Sequence, residues 1–213
     1  MKIPRNRALS LVGALVVLMY SNIARAQCAF QGRTNLVAAG GTYVLPGQVV
    51  PIVLQGLVEN VTGCMGNCGL AGVYGNITGS DDAASLPTAT ITNRLLVSPF
   101  DLRPILGLGT LLAGPLEIRD LDPARGFHLG GPGPCLGVGV FTNVYSFDFT
   151  VPANATVGQQ FTFSFAGEGN LLMLWIPFGG GIYLPLTAGP VPIAGSSLTL
   201  TVTPPANDSC MTQ

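Results

Sequence analysis

Tyr145-Ser146-Phe147-Asp148-Phe149-Thr150-Val151, Phe161-Thr162-Phe163-Ser164-Phe165 and Leu198-Thr199-Leu200-Thr201-Val202-Thr203 each alternate apolar with polar residues. A period of two sends successive side chains to opposite sides of an extended chain, so each run reads as an antiparallel strand with one face in a core. Turns rich in glycine, proline and asparagine punctuate them, as at Pro152-Ala153-Asn154 and Gly167-Glu168-Gly169-Asn170. Working outward, strands are expected at 41–45, 49–57, 70–78, once or twice within 85–97, weakly at 116–118, and at 138–151, 171–175 and 182–186. Pro51 removes a ladder donor, which predicts that strand 49–57 is an edge strand or carries a bulge. Residues 102–112 fit a short helix as well as a strand, because their leucines are interrupted by Pro104, Gly107 and Gly109. Residues 126–135 read as a glycine- and proline-rich loop. Eight to ten short strands make an all-β chain, a two-sheet antiparallel sandwich or jelly roll.

The first 26 residues read as a secretory signal peptide. Lys2, Arg5 and Arg7 precede an apolar run from Ala8 to Tyr20, and Ala24-Arg25-Ala26 has the small-x-small form of a cleavage site. The run is shorter than the roughly 20 residues a spanning helix needs. No later stretch is long and apolar enough to span a bilayer, so the expectation is a secreted or cell-surface protein. Residues 27–203 then form a single domain and 204–213 a C-terminal tail. Removal of the signal takes away the only lysine and three arginines, leaving five arginines against all ten acids and a net charge of about −5. A chain with no basic stripe is a poor ligand for nucleic acid and for anionic membranes.

Five cysteines remain, Cys28, Cys64, Cys68, Cys135 and Cys210, and an oxidising compartment favours pairing. Roughly 15 pairings are open to five cysteines. The preferred set joins Cys64 to Cys68 across Met65-Gly66-Asn67 and Cys28 to Cys135, leaving Cys210 free or partnered outside the chain. Zinc is disfavoured, since there is one histidine and no second close cysteine pair.

Pro46-Gly47-Gln48-Val49-Val50-Pro51-Ile52-Val53-Leu54 resembles the opening of bacterial cohesin modules. So do Gly69-Leu70-Ala71-Gly72 with the strand after it and Asp81-Asp82, and the run from Phe147 through Pro152-Ala153-Asn154-Ala155-Thr156-Val157-Gly158 to Phe163. Val191-Pro192-Ile193 and the closing strand complete the pattern. The resemblance implies a nine-stranded jelly roll and a non-catalytic protein-interaction or structural module of bacterial origin. No partner-binding position of that family matches residue by residue, and the loop 64–68 and insertion 102–112 depart from its pattern.

Catalytic motifs are absent. His128 is the sole histidine and sits in a glycine loop, and no Gly-x-Ser-x-Gly, zincin, P-loop or dinucleotide fingerprint occurs. Glycosidases need only two facing carboxyls, for which Glu59, Glu117, Glu168, Asp101 and Asp148 are the candidates; Asp148 should face solvent. Asp120 with Asp122, or Asp81 with Asp82, offers too few oxygens for calcium and reads as turn chemistry. A second reading is carbohydrate binding: Trp175, Phe178 and Tyr183 surround a glycine turn and suit stacking on sugar rings, unless they close over the core. The expectation is therefore a secreted, non-catalytic interaction module. Its partner is an extracellular protein or, alternatively, a polysaccharide; no cofactor or metal is expected, and a small glycosidase is the remaining alternative.

Overall fold

The computed structural model describes residues 29–62, 69–125, 136–166, 173–179, 182–187 and 193–205. For 29–30, 60–62, 71, 173–179, 182–187 and 193 it describes the backbone only. Fourteen strands fall in these segments: β1 (Ala29–Ala38), β2 (Tyr43–Val44), β3 (Val49–Thr62), β4 (Leu70–Gly72), β5 (Gly75–Asp81), β6 (Ile91–Leu96), β7 (Thr110–Leu112), β8 (Glu117–Leu121), β9 (Thr142–Thr150), β10 (Gln160–Ala166), β11 (Met173–Gly179), β12 (Ile182–Thr187), β13 (Ile193–Ala194) and β14 (Ser196–Val202). They build a five-stranded sheet in the order β13-β1-β3-β9-β6, a six-stranded sheet β2-β14-β10-β5-β8-β7, and a three-stranded sheet β12-β11-β4.

Period-two alternation in β9, β10 and β14 fixes the two large sheets. Phe147 and Phe149 of β9 project inward beside Ile52 and Leu54 of β3, while Phe161, Phe163 and Phe165 of β10 and Leu198, Leu200 and Val202 of β14 come from the other sheet; all are buried. Phe163 meets Phe149 edge-on at 5.0 Å between centroids and Phe147 at 5.8 Å, and Phe149 meets Phe161 at 5.4 Å. Each buried phenylalanine contributes about 1.5–3 kcal/mol from burial, and each tilted aromatic pair about 0.5–1.5 kcal/mol more. Polar partners in the alternation face out: Thr162 shares a hydrogen bond with Thr199 across the β10–β14 ladder, and Ser164 donates to Ser197.

Several expectations are corrected. The fourteen strands exceed the nine expected, because two- and three-residue strands such as β2, β4, β7 and β13 are too short to show a period. The pairing is not wholly antiparallel, since β1–β13 and β14–β2 run parallel. β3 is no edge strand: it lies between β1 and β9. The Pro51 carbonyl accepts from the Ala39 N–H, so its missing donor also points toward β1, just beyond that strand's last ladder residue. The bulge the proline suggested does occur in the β3–β9 ladder, but on β9. Val144 and Tyr145 are both buried there, as a two-against-one bulge allows.

Residues 70–78 do not form one strand; Val73 and Tyr74 separate β4 from β5, which belong to different sheets. Residues 102–112 resolve into both readings, a 3-10 turn at Leu106–Leu108 followed by β7. Gly109, with φ 67°, makes the change of direction between them. β1 was not expected. Its inward positions include Gly32 and Thr34, which carry no hydrophobic signal. The signal segment, the loop 126–135, all five cysteines, His128 and Glu168 lie outside the described residues.

Candidate functional site

The first half of β3, residues 49–54, is apolar on both of its faces. Val50, Ile52 and Leu54 are buried in the sandwich, whereas Val49, Pro51 and Val53 point the other way, and Val49 is 53% exposed. A strand bounded by solvent on its outer side normally alternates apolar with polar; apolar residues on both sides are the pattern of a strand covered on both faces. Register extends the outer face across the sheet. Val53 stands opposite Val37 of β1 and Ser146 of β9, and Ser146 stands opposite Leu95 of β6, which is 60% exposed. The row Val37-Val53-Ser146-Leu95 thus crosses four strands, with Pro51 and Val49 continuing it along β3.

Two polar groups border this stripe. On one side Asn35, Gln55 and Asn143 stand opposite one another; Asn35 donates to Gln55 at 3.4 Å and Gln55 to Asn143 at 2.8 Å. On the other, Asp148 faces outward as expected, opposite Pro51 and Thr92, and its Oδ2 accepts from Asn93 Nδ2 at 2.8 Å. A bulge in β6 makes that contact. Asn93 and Arg94 together oppose Phe147, and Asn93 adopts a left-handed conformation, φ 47°, that sends its amide outward. Arg94 turns the other way, donating to the Leu108 and Gly109 carbonyls at the end of the 3-10 turn.

The outer face of the six-stranded sheet differs. Ser80, Thr162 and Thr199 form one row and Thr78, Ser164 and Ser197 the next, all hydroxyls. Thr162 at its centre is buried and Ser80 and Ser197 at its margins are exposed, so this face is polar where the other is apolar.

The acids are dispersed. Glu59 pairs with Arg33 at 3.6 Å, Glu117 with Arg119 at 2.7 Å, and Asp101 is exposed on the loop after Phe100. Asp120 and Asp122 diverge: Tyr74 donates to the first at 2.9 Å, which raises the Tyr74 pKa, while the second pairs with Arg103 at 2.7 Å. Burial lifts the Asp122 carboxyl above its ordinary value, the Arg103 guanidinium opposing that shift. Asp82 accepts from the Gln160 N–H at the start of β10, a contact between distant segments rather than a cap on its own turn. No cluster of three or more His, Cys, Asp or Glu able to hold a metal occurs among the described residues. A shallow groove of about 590 Å³ between Gly47, Leu86, Pro87 and Pro152 is lined by no titratable side chain.

Trp175 and Tyr183 stand on the antiparallel β11–β12 pair, opposite Pro185 and Pro177, and Phe178 falls at a register shift between Pro177 and Gly179. Their side chains lie outside the described part of the structure. The outer face of the five-stranded sheet was not singled out from sequence, though Val49-Val50-Pro51-Ile52-Val53-Leu54, apolar at every position, carried the signal.

No family model matches the chain, and no curated protein does. Solved structures similar to it include the sixth cohesin of scaffoldin B from Acetivibrio cellulolyticus, solved with a Cel5 dockerin mutant. That likeness has 11% identity and a TM-score of 0.40, over 82% of this chain and 99% of that one. A cohesin module from a Clostridium perfringens family 33 glycoside hydrolase is similar at 10% identity and a TM-score of 0.41, over 81% and 98%. The third cohesin of ScaC from A. cellulolyticus, in complex with the ScaB dockerin, is similar at 10% identity and 0.39, over 83% and 100%. The modules are of the kind that the sequence resemblance named.

Proposed function

We propose that this protein is a secreted, non-catalytic interaction module that docks another extracellular protein on the outer face of its five-stranded sheet. The observation that carries the reading is the two-sided apolar character of residues 49–54 in β3, with Val49, Pro51 and Val53 flanked by Val37 and Leu95. Contiguous apolar surface with few charges is the composition of an interface core. Burying such a face against a partner releases its hydration water at about 25 cal/mol per Å². The signal-like N-terminus, taken to be cleaved after Ala26, and the low charge of the remaining chain support an extracellular setting. Acids held singly by their own partners, rather than in pairs across a cleft, support a role without catalysis.

Protein is favoured over polysaccharide because no aromatic side chain stands on this face among the described residues; flat sugar rings are held by aromatic stacking. The Trp175 hairpin keeps carbohydrate binding as the second reading.

The test immobilises the full chain against the source organism's culture supernatant and cell envelope, with and without soluble polysaccharide, beside a Val53→Asp variant. Val53 is outside the core, so the variant should melt with the parent. Protein capture that persists in polysaccharide and is lost with Val53→Asp is the expected result. Capture abolished by polysaccharide, or indifferent to Val53→Asp, would overturn the reading.

A further inference from the structure

Asp148 is the only carboxylate among the rows that border the apolar stripe. Its backbone lies near the C-terminal end of β9, between Pro51 on one side and Thr92 on the other. Its side chain is half-buried and receives a hydrogen bond from the Asn93 amide at 2.8 Å. None of the ion pairs among the described residues includes it: Arg33 is held by Glu59, Arg103 by Asp122 and Arg119 by Glu117, while Arg94 is committed to two backbone carbonyls. Arg125, the fifth arginine beyond residue 26, is itself buried, and the chain has no lysine beyond residue 2. Exposed to water, this arrangement costs nothing, because solvent satisfies the free carboxylate oxygen.

Covering the face changes that. A partner that buries Val53 and Leu95 also removes water from Asp148, and a carboxylate stripped of water without a counter-charge carries a large desolvation penalty. Asn93 supplies one neutral hydrogen bond and no charge. Resting on the docking reading above, we infer that the partner is a protein segment presenting an arginine or lysine to Asp148, flanked by aliphatic side chains that cover Val53 and Leu95. The geometry suits this chemistry, since the aliphatic stem of a long basic side chain can lie along Pro51 while its head reaches the carboxylate. A cation there would set partner choice and orientation more than it would add net affinity.

The experiment takes the protein captured by the full chain, identified by mass spectrometry, and measures its affinity for the parent and for Asp148→Asn, Asp148→Lys and Val53→Asp. Asp148→Asn should weaken binding by about tenfold and Asp148→Lys by more, since like charges then face each other. The parent complex should weaken as salt rises, and the Asp148→Asn complex less so. Charge reversal of one basic residue on the partner should rescue Asp148→Lys. If Val53→Asp abolishes binding while both Asp148 variants bind like the parent, the inference falls and the docking face stands. If Val53→Asp binds like the parent, or no protein is captured, the docking face falls and the inference with it. Displacement of the captured protein by polysaccharide would likewise overturn both.

Discussion

Asp122 shows how a single side chain makes stability depend on pH. It lies at the end of β8, with 19% of its side chain exposed and Arg103 at 2.7 Å. Burial is the larger influence and holds its pKa above the ordinary value of 3.8; the guanidinium pulls it partly back. The folded state therefore keeps this proton to a higher pH than the unfolded chain does. Its contribution to stability is present at low pH and is lost as pH rises from the unfolded value through the folded one. Asp122→Asn leaves an amide oxygen for Arg103 and removes the titration. Urea midpoints of parent and variant measured between about pH 3 and about pH 6 should diverge in the variant's favour as pH increases, over the carboxylate range. Divergence in the opposite sense would mean that the ion pair outweighs burial at this site. Tyr145 is a related case. Burial raises its pKa, and the neighbouring Arg94 guanidinium partly opposes that shift.

Among the elements, the segment from Asp101 to Gly109 is the one that sequence periodicity described least well. Its leucines predict a helix or a strand, yet Leu102, Ile105 and Leu106 are exposed, and the segment is held mainly by backbone contacts. The Gly107 N–H donates to the Arg103 carbonyl, the Asp122 N–H donates to Gly107, and Arg94 takes the last two carbonyls. Gly109 makes the close approach: at φ 67° an added Cβ would lie 2.6 Å from the Arg119 carbonyl and 3.1 Å from the Leu121 nitrogen. Gly139 has nearly the same φ, 65°, with nothing within 4 Å of its added Cβ. Gly139→Ala should therefore cost about 1–2 kcal/mol, the ordinary left-handed penalty. Gly109→Ala should cost about 1–3 kcal/mol more, because backbone must move as well. Equal losses in urea melts would show that the approach to β8 is not tight.

The same contrast explains what was legible. β9, β10 and β14 announce themselves because their inward residues are large and their outward ones polar, and the core they make was readable in Phe147, Phe149, Phe161 and Phe163. β1 was hidden because Gly32 and Thr34 occupy inward places. The outer apolar face was hidden because periodicity locates a core and cannot say which side of an all-apolar stretch such as 49–54 remains outside it.

For the molecule as a whole, charge and surface chemistry divide the two function readings. Beyond residue 26 the chain carries about −5, spread thinly over a sandwich whose two outer faces are hydroxyl-rich on one side and aliphatic with amides on the other. Such a body can meet a protein through the aliphatic face or a glycan through the Trp175 hairpin, and these surfaces belong to different sheets. Trp175 is the only tryptophan, so its emission reports on the β11–β12 pair alone. If the protein-docking reading holds, titrating soluble polysaccharides into the full chain should leave emission intensity and wavelength unchanged, and Trp175→Ala should capture the protein partner as the parent does. A blue shift or saturable quenching on adding a polysaccharide, abolished in Tyr183→Ala, would place a sugar against the hairpin and make carbohydrate the ligand. Both readings predict an extracellular protein, so only a measurement that separates the two surfaces can choose between them.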